Sequence, residues 1–180
     1  MNYTTRLEPI ENPAGFYMKA AYFFCRRMLG KVIMPMKVIY ARKPALMRVA
    51  LLYNKIEEHR ISLPASLRLM IKSVISLKNG CTFCNDLALA LAVQKKLGLE
   101  KFRDLENFRS SVAFSDAEKA ALAYALAVAE HNGVSDRVFS ELRLHFSEEQ
   151  VVELTWLAAV EVYYNTLSRA LNIESDNLLA

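Results

Sequence analysis

Little in this sequence interrupts a helix. Its 180 residues include only five glycines and five prolines, and no collagen-like period or low-complexity tract runs through them, so disorder is not expected away from the termini. Uncharged apolar runs are short as well. Lys19, Arg26 and Arg27 break the first greasy stretch and Glu153 and Glu161 the last, so none reaches the roughly 18 residues that a membrane-spanning helix needs. Cysteine is scarce and odd in number, at three, which argues against a secreted disulfide scaffold. Met1 to Pro9 carries no apolar stretch of the secretory type. A cytoplasmic protein is the expectation.

Acidic residues are also missing from one stretch. Between Lys19 and Arg48 there are eight basic residues and no acid. Residues 1–60 carry eleven Lys and Arg against four Glu, or +7, and residues 61–180 carry twelve against fifteen acids, or −3. Such a bias reads as a solvated face, or as a contact with the acidic half of a neighbouring subunit; an anionic partner is the sharper alternative. A nucleic-acid partner is not expected.

What the chain does have is hydrophobic content of 53% arranged at helical spacing, enough for one compact unit that buries about two-thirds of its extended surface. Asn12 and Pro13 read as the start of a helix to Leu29, stopped by Gly30. Its aromatics Phe16, Tyr17, Tyr22, Phe23 and Phe24 spread around the helix, which predicts cover on two sides and an oligomer. Lys31 to Lys43 resists assignment because of Pro35. Pro44 restarts a helix with Leu46, Val49, Ala50 and Tyr53 on one face and Glu57 to Arg60 at its polar end. Pro64 to Lys78 repeats Leu67, Met70, Ile71 and Val74 every three or four residues.

Past Gly98, the stretch Leu99 to Phe108 reads as a short helix or turn. Ser115 and Glu118 form a capping box for a central helix to His131, a histidine suited to capping the last turn. A helix from Ser135 to about His145 comes next, and Ser147 with Gln150 caps the last one, to Leu171.

The stretch with chemistry in it is Asn79-Gly80-Cys81-Thr82-Phe83-Cys84-Asn85-Asp86. Gly80 stops one helix and another starts at or just after Cys81, running to Leu97 before Gly98, so the two thiols lie one turn apart on one face. Unpaired N–H groups and the positive helix pole favour a thiolate there. A pair at this spacing closes into a disulfide with little backbone movement, and a reducing dithiol opens it again. Zinc would need a second ligand pair, whereas Cys25, His59, His131 and His145 are isolated. An inert pair of small core residues is the other structural alternative. Cys25 reads as a packing residue, and neither a metal nor a cofactor is expected.

The run Ser66 to Leu97, with Phe114 to Lys119 and Gly133 to Phe139, resembles the AhpD-like branch of the carboxymuconolactone decarboxylase family over roughly residues 47–175. That resemblance implies an all-α, AhpD-like helical bundle, trimeric or hexameric assembly, and a redox C-x-x-C that reduces hydroperoxides. It divides a single domain, 1–180, into a basic, aromatic N-terminal extension, 1–46, and a core, 47–180. In the family a His follows the second cysteine by four residues and a Glu precedes the first by twelve, together relaying protons; here those positions hold Ala88 and Leu69. Cys81 and Cys84 carry over.

Glu161 shares a face with Leu154, Leu157 and Ala158. A carboxyl on that stripe would reach solvent, or if buried would be neutral or paired with Arg169 or a basic residue of the N-terminal half, or would serve as the missing proton relay if it came near Cys84. The expected function is a C-x-x-C thiol-disulfide oxidoreductase, a slow alkyl hydroperoxide reductase using Cys81 and Cys84. Its partners would be a hydroperoxide or disulfide substrate, a dithiol reductant protein or lipoyl-type donor, and further copies of itself as a dimer, trimer or hexamer. Family likeness makes Cys84 the sulfur that meets peroxide; the helix terminus favours Cys81 as the nucleophile. The alternative is a non-catalytic oligomeric scaffold that has lost the relay.

Overall fold

A computed structural model describes residues 5–130 and 133–179, and all regular structure among them is helical. The elements are α1 (Phe16–Leu29), a π-helical turn (Met36–Tyr40), α2 (Pro44–Arg60), α3 (Ala65–Asn79), α4 (Thr82–Gln94), the single turn α5 (Glu100–Arg103), a 3₁₀ turn (Leu105–Asn107), α6 (Asp116–Ala129), α7 (Asp136–Arg143) and α8 (Glu148–Ala170). None of these helices is long and apolar enough to cross a membrane.

The centre of the bundle is α3, which packs on α4, α6 and α8. Leu67, Met70, Ile71 and Val74 are buried as the periodicity predicts, and Leu69, Ser73, Ile75 and Ser76 are buried too, so the helix is covered on nearly every side. Each fully buried Leu, Ile or Met contributes about 1.5–3 kcal/mol. This large cluster continues through Leu122, Ala125, Leu154 and Leu157, from α6 and α8. Both capping boxes form as read: Ser115 with Glu118, and Ser147 with Gln150. The predicted capping role of His131 falls outside the described residues.

A second, smaller cluster lies beside the first. It joins Met18 and Tyr22 of α1, the π-helical turn with Met36, Val38 and Ile39, the start of α4 with Cys81, Phe83 and Cys84, and Ile173 after α8. Polar ties hold these distant segments together. The Tyr22 hydroxyl donates to the Ile10 carbonyl at 2.7 Å, Arg42 donates to the Glu8 carbonyl at 2.6 Å, and Lys37 pairs with Glu11 at 2.9 Å. Lys31 donates to the Asp176 carbonyl at 2.5 Å, and the Asp176 carboxylate accepts from the Met34 N–H at 2.7 Å. Part of the basic bias of the first 60 residues is therefore spent inside the molecule, tying the chain ends to it.

Three boundaries differ from the sequence reading. α1 begins at Phe16, not Pro13, because Gly15 takes φ 77° and turns the chain just ahead of it. α4 ends at Gln94, not Leu97: Lys96 takes the left-handed conformation, φ 56°, and the Leu97 N–H returns to the Ala92 carbonyl, so a lysine does what Gly98 was expected to do. Glu57, read as part of a polar end, is buried, because the last turns of α2 lie against α3. It pairs with Lys72 at 2.5 Å, and its backbone carbonyl accepts from Arg68.

Candidate functional site

The thiol pair sits where α3 hands over to α4. Gly80 takes φ 68° and the Cys81 N–H reaches back to the Ser76 carbonyl at 2.8 Å, which closes α3 and starts α4 one residue later. Cys81 is the N-cap of α4: its sulfur accepts from the Cys84 N–H at 3.3 Å. Cys81 and Cys84 are joined in a disulfide, with Cα atoms 5.4 Å apart, within the ordinary range for such a bond. Cys81 is 1% exposed and Cys84 is 7% exposed. The two sulfurs face different surroundings. Cys84 lines a cavity of about 570 Å³, whereas Cys81 does not. Ser168, on α8, places its Oγ 3.8 Å from the Cys84 sulfur.

Cavity walls come from α1, the π-helical turn and α2 on one side and from α3, α4 and α8 on the other. Along α8 the lining residues are Glu161, Tyr164, Leu167 and Ser168, a spacing of one helical face. Glu161 and Ser168 are seven residues apart, or about 10 Å along the axis. The cavity therefore stretches from the disulfide at one end towards a polar group at the other.

That group is built around Glu161, which is 4% exposed. Ser76 donates to its Oε1 at 2.8 Å and Asn165 to the same oxygen at 2.7 Å, while Asn79 donates in turn to Asn165 at 3.1 Å. Burial pushes the Glu161 carboxyl above the usual range, against the opposing pull of the Lys72 charge and the two donors. Tyr40 is pushed up to about 12, first by burial and then by its neighbour Tyr163. Tyr164 is raised by burial and by the nearby Tyr40, Tyr163 and Glu161. Among the described residues Glu161 has no ion-pair partner, and Arg169 is exposed. Pairing with Arg169 or with an N-terminal basic residue is not what the fold builds; two neutral donors hold the carboxyl instead.

Cys25 is half-buried in the same cavity wall, and burial raises its thiol. Ala88 lines the cavity as well, whereas Leu69 belongs to the large apolar cluster. Sequence reasoning missed Ser76, Asn165 and Ser168. Their only signal was small polar residues on the apolar faces of α3 and α8, with Asn165 four residues after Glu161.

A buried thiol pair at a helix start, within an all-helical bundle, defines an AhpD-like thiol fold. Residues 44–127, just under half of the chain, match the carboxymuconolactone decarboxylase family. YnjA of Escherichia coli (strain K12), an uncharacterised protein, is 26% identical over 155 residues, spanning 85% of each chain. A protein of unknown function from Agrobacterium tumefaciens, described as a candidate antioxidant defence protein AhpD, superposes with a TM-score of 0.70 at 26% identity, covering 77% of this chain and 96% of its own. The debrominase Bmp8 in its apo form superposes with a TM-score of 0.80 at 21% identity, covering 97% and 92%.

Proposed function

We propose that this chain is a thiol-disulfide oxidoreductase whose Cys81 and Cys84 reduce a hydroperoxide, and that Cys84 meets the oxidant. The observation that carries this reading is the placement of Cys84 on the cavity while Cys81 caps α4 behind it. The antioxidant description of the Agrobacterium relative points the same way.

The chemistry runs in two steps. The Cys84 thiolate attacks the distal hydroperoxide oxygen; the O–O bond breaks, the alkoxide leaves as alcohol after taking one proton, and Cys84 becomes a sulfenic acid. The Cys81 thiolate then attacks the Cys84 sulfur, and hydroxide departs as water with a second proton. Two thiols and one hydroperoxide yield one disulfide, one alcohol and one water. A dithiol protein or lipoyl-type donor in the cytoplasm returns the pair to its reduced state by exchange. Because Cys81 is at the N-cap, the unpaired N–H groups of the first turn favour its thiolate for the second step.

Proton delivery sets the pace. Ala88 and Leu69 carry no proton where the family has His and Glu, and a positioned acid is worth about 10²–10⁴ in rate. Glu161 serves instead, across the cavity. At about 10 Å along α8 from Ser168, it acts through intervening water, and the enzyme is slow.

Thiol counting tests the reading. Reduced protein should lose both thiols of the pair on treatment with one equivalent of cumene hydroperoxide, Cys81→Ser should accumulate a dimedone-reactive sulfenic acid at Cys84, and Cys84→Ser should keep its Cys81 thiol reduced. Wild-type protein that keeps both thiols would end the proposal. A Cys84→Ser variant that reacts as fast as wild type would reverse the two roles.

A further inference from the structure

Arg68, Lys72 and Ser76 follow one another at four-residue intervals along one stripe of α3. All three reach out to acidic residues of other helices. Arg68 Nη1 donates to the backbone carbonyl of Glu57, Lys72 Nζ pairs with Glu57 Oε2 at 2.5 Å, and Ser76 Oγ donates to Glu161 Oε1 at 2.8 Å. Lys72 therefore stands one turn from the serine that holds Glu161, and Lys72 and Glu161 both line the cavity. Glu57 meets Lys72 from outside it, on the last turn of α2.

Glu161 is bound on one oxygen only. Ser76 and Asn165 both donate to Oε1, and no described residue donates to Oε2. Burial raises the carboxyl most; of the charges, Lys72 pulls it down and Glu57 pushes it up. Around this trio stand Tyr164 on α8 itself, Tyr40 of the π-helical turn, and Tyr17 and Cys25 of α1. Tyr124 of α6 bonds instead to Thr155 at 2.6 Å, and α4 presents Cys84, which the disulfide holds. Lys72 and Glu57 are thus the charges that decide the state of Glu161. With Lys72 held by Glu57, the buried carboxyl keeps its proton; with Lys72 released toward Oε2, it ionises.

We infer that Glu57 and Lys72 are positioning residues for proton delivery: Glu57 holds Lys72 off the Glu161 carboxyl, which keeps Glu161 an acid able to pass its proton into the cavity. This rests on the reading above, in which Glu161 protonates the departing oxygen, and it adds what controls that supply. After donation the Glu161 carboxylate faces the Lys72 charge and takes back a proton from solvent. A pair that merely tied α2 to α3 would be damaged alike from either side. A pair that sets Glu161 gives opposite results from its two halves.

Breaking the pair from each side tests this. The protonated-carboxyl infrared stretch of Glu161, identified by its loss in Glu161→Gln, is followed across pH in the oxidised protein. Glu57→Gln should move its midpoint down by about one pH unit or more, and Lys72→Met should move it up by a similar amount, since one nearby charge shifts a carboxyl by about 1–3 units. The double variant, which leaves neither charge buried alone, should also move it up, because the Lys72 effect is the larger of the two. Rates of Cys81–Cys84 disulfide formation with cumene hydroperoxide, taken above these midpoints, should follow, about tenfold slower for each unit down and about tenfold faster for each unit up.

Midpoints that move the same way in both single variants, or in neither, would overturn the proposal. Where melting curves show that a single variant does not fold, the double variant decides, and a midpoint that stays or falls there would overturn it too. Opposite midpoint shifts with level rates would remove Glu161 from the chemistry and leave the pair's control of its charge standing. Thiols that resist every hydroperoxide would end the redox reading, and the infrared midpoints would still decide whether the pair sets Glu161.

Discussion

The two apolar clusters of this molecule have different construction. The larger is made from α3, α6 and α8, whose residues are near neighbours on long, capped helices, and most of its members are buried without polar help. The smaller gathers short pieces from far apart in the chain, and hydrogen bonds donated by Tyr22 and Arg42 and accepted by Asp176 hold those pieces in place. The thiol pair sits in the smaller one. The contrast teaches that the scaffold and the site wall are separate pieces of architecture. Residues 44–127, which match the family, include α3, α4 and most of α6, whereas α1 and the π-helical turn, which close the cavity, lie before them. Binding sites are commonly assembled on the less stable part of a fold, where segments can move without unfolding the whole.

The largest effect should come from the large cluster. Leu154→Ala removes a fully buried side chain and should cost about 2–5 kcal/mol, read from denaturant midpoints. Thiol reactivity below the transition should stay as in wild type. An unchanged midpoint would mean that the scaffold is not where the stability lies.

Next in size is a gain. Ala88→His puts an imidazole on the cavity wall, at the position where the family carries its relay histidine. It should raise the rate of disulfide formation with cumene hydroperoxide by about a hundredfold near neutral pH, the lower end of what a positioned acid or base supplies. A rate no higher than wild type would show that the cavity wall, and not the missing relay, limits the chemistry.

Tyr22→Phe probes the smaller cluster. It removes the hydrogen bond to the Ile10 carbonyl and should cost about 1 kcal/mol. Hydrogen exchange should show α1 losing protection first, since only Met18 and Tyr22 are buried there, while α3 exchanges only on global unfolding. Uniform exchange across both helices would collapse the distinction between the clusters.

The smallest effect concerns pH. Burial raises the folded-state pKa of Glu161, so its neutral form is the one the fold prefers. Stability from that preference is complete below the unfolded carboxyl pKa and is lost as pH rises through the folded one. Glu161→Gln should therefore melt higher than wild type at neutral pH, with the difference shrinking toward acid, while its disulfide forms more slowly. A variant that melts lower at neutral pH would mean that the carboxylate, not the acid, is the form the fold wants.

Much of the scaffold was legible along the chain because its signals are local. Capping boxes at Ser115 and Ser147, the stop at Gly80 and the 3.6-residue repeat of Leu67, Met70, Ile71 and Val74 all act within one or two turns. The misreadings were local competitions decided by neighbours. Lys96 took a left-handed conformation that Gly98 was expected to hold, because the chain had to turn toward α5 sooner. Glu57 looked like a solvent residue until α3 supplied Lys72 and Arg68 beside it.

The site divides the same way. That Cys81 and Cys84 lie one turn apart at a helix start follows from Gly80 and the three-residue spacing, which is a property of the backbone alone. Which sulfur faces a cavity, what lines that cavity, and whether Glu161 is paired or held neutral depend on α1, α3, α4 and α8 meeting in space. No short-range pattern encodes those meetings: Cys84 meets Ser168 across 84 positions of the chain and Ser76 meets Glu161 across 85.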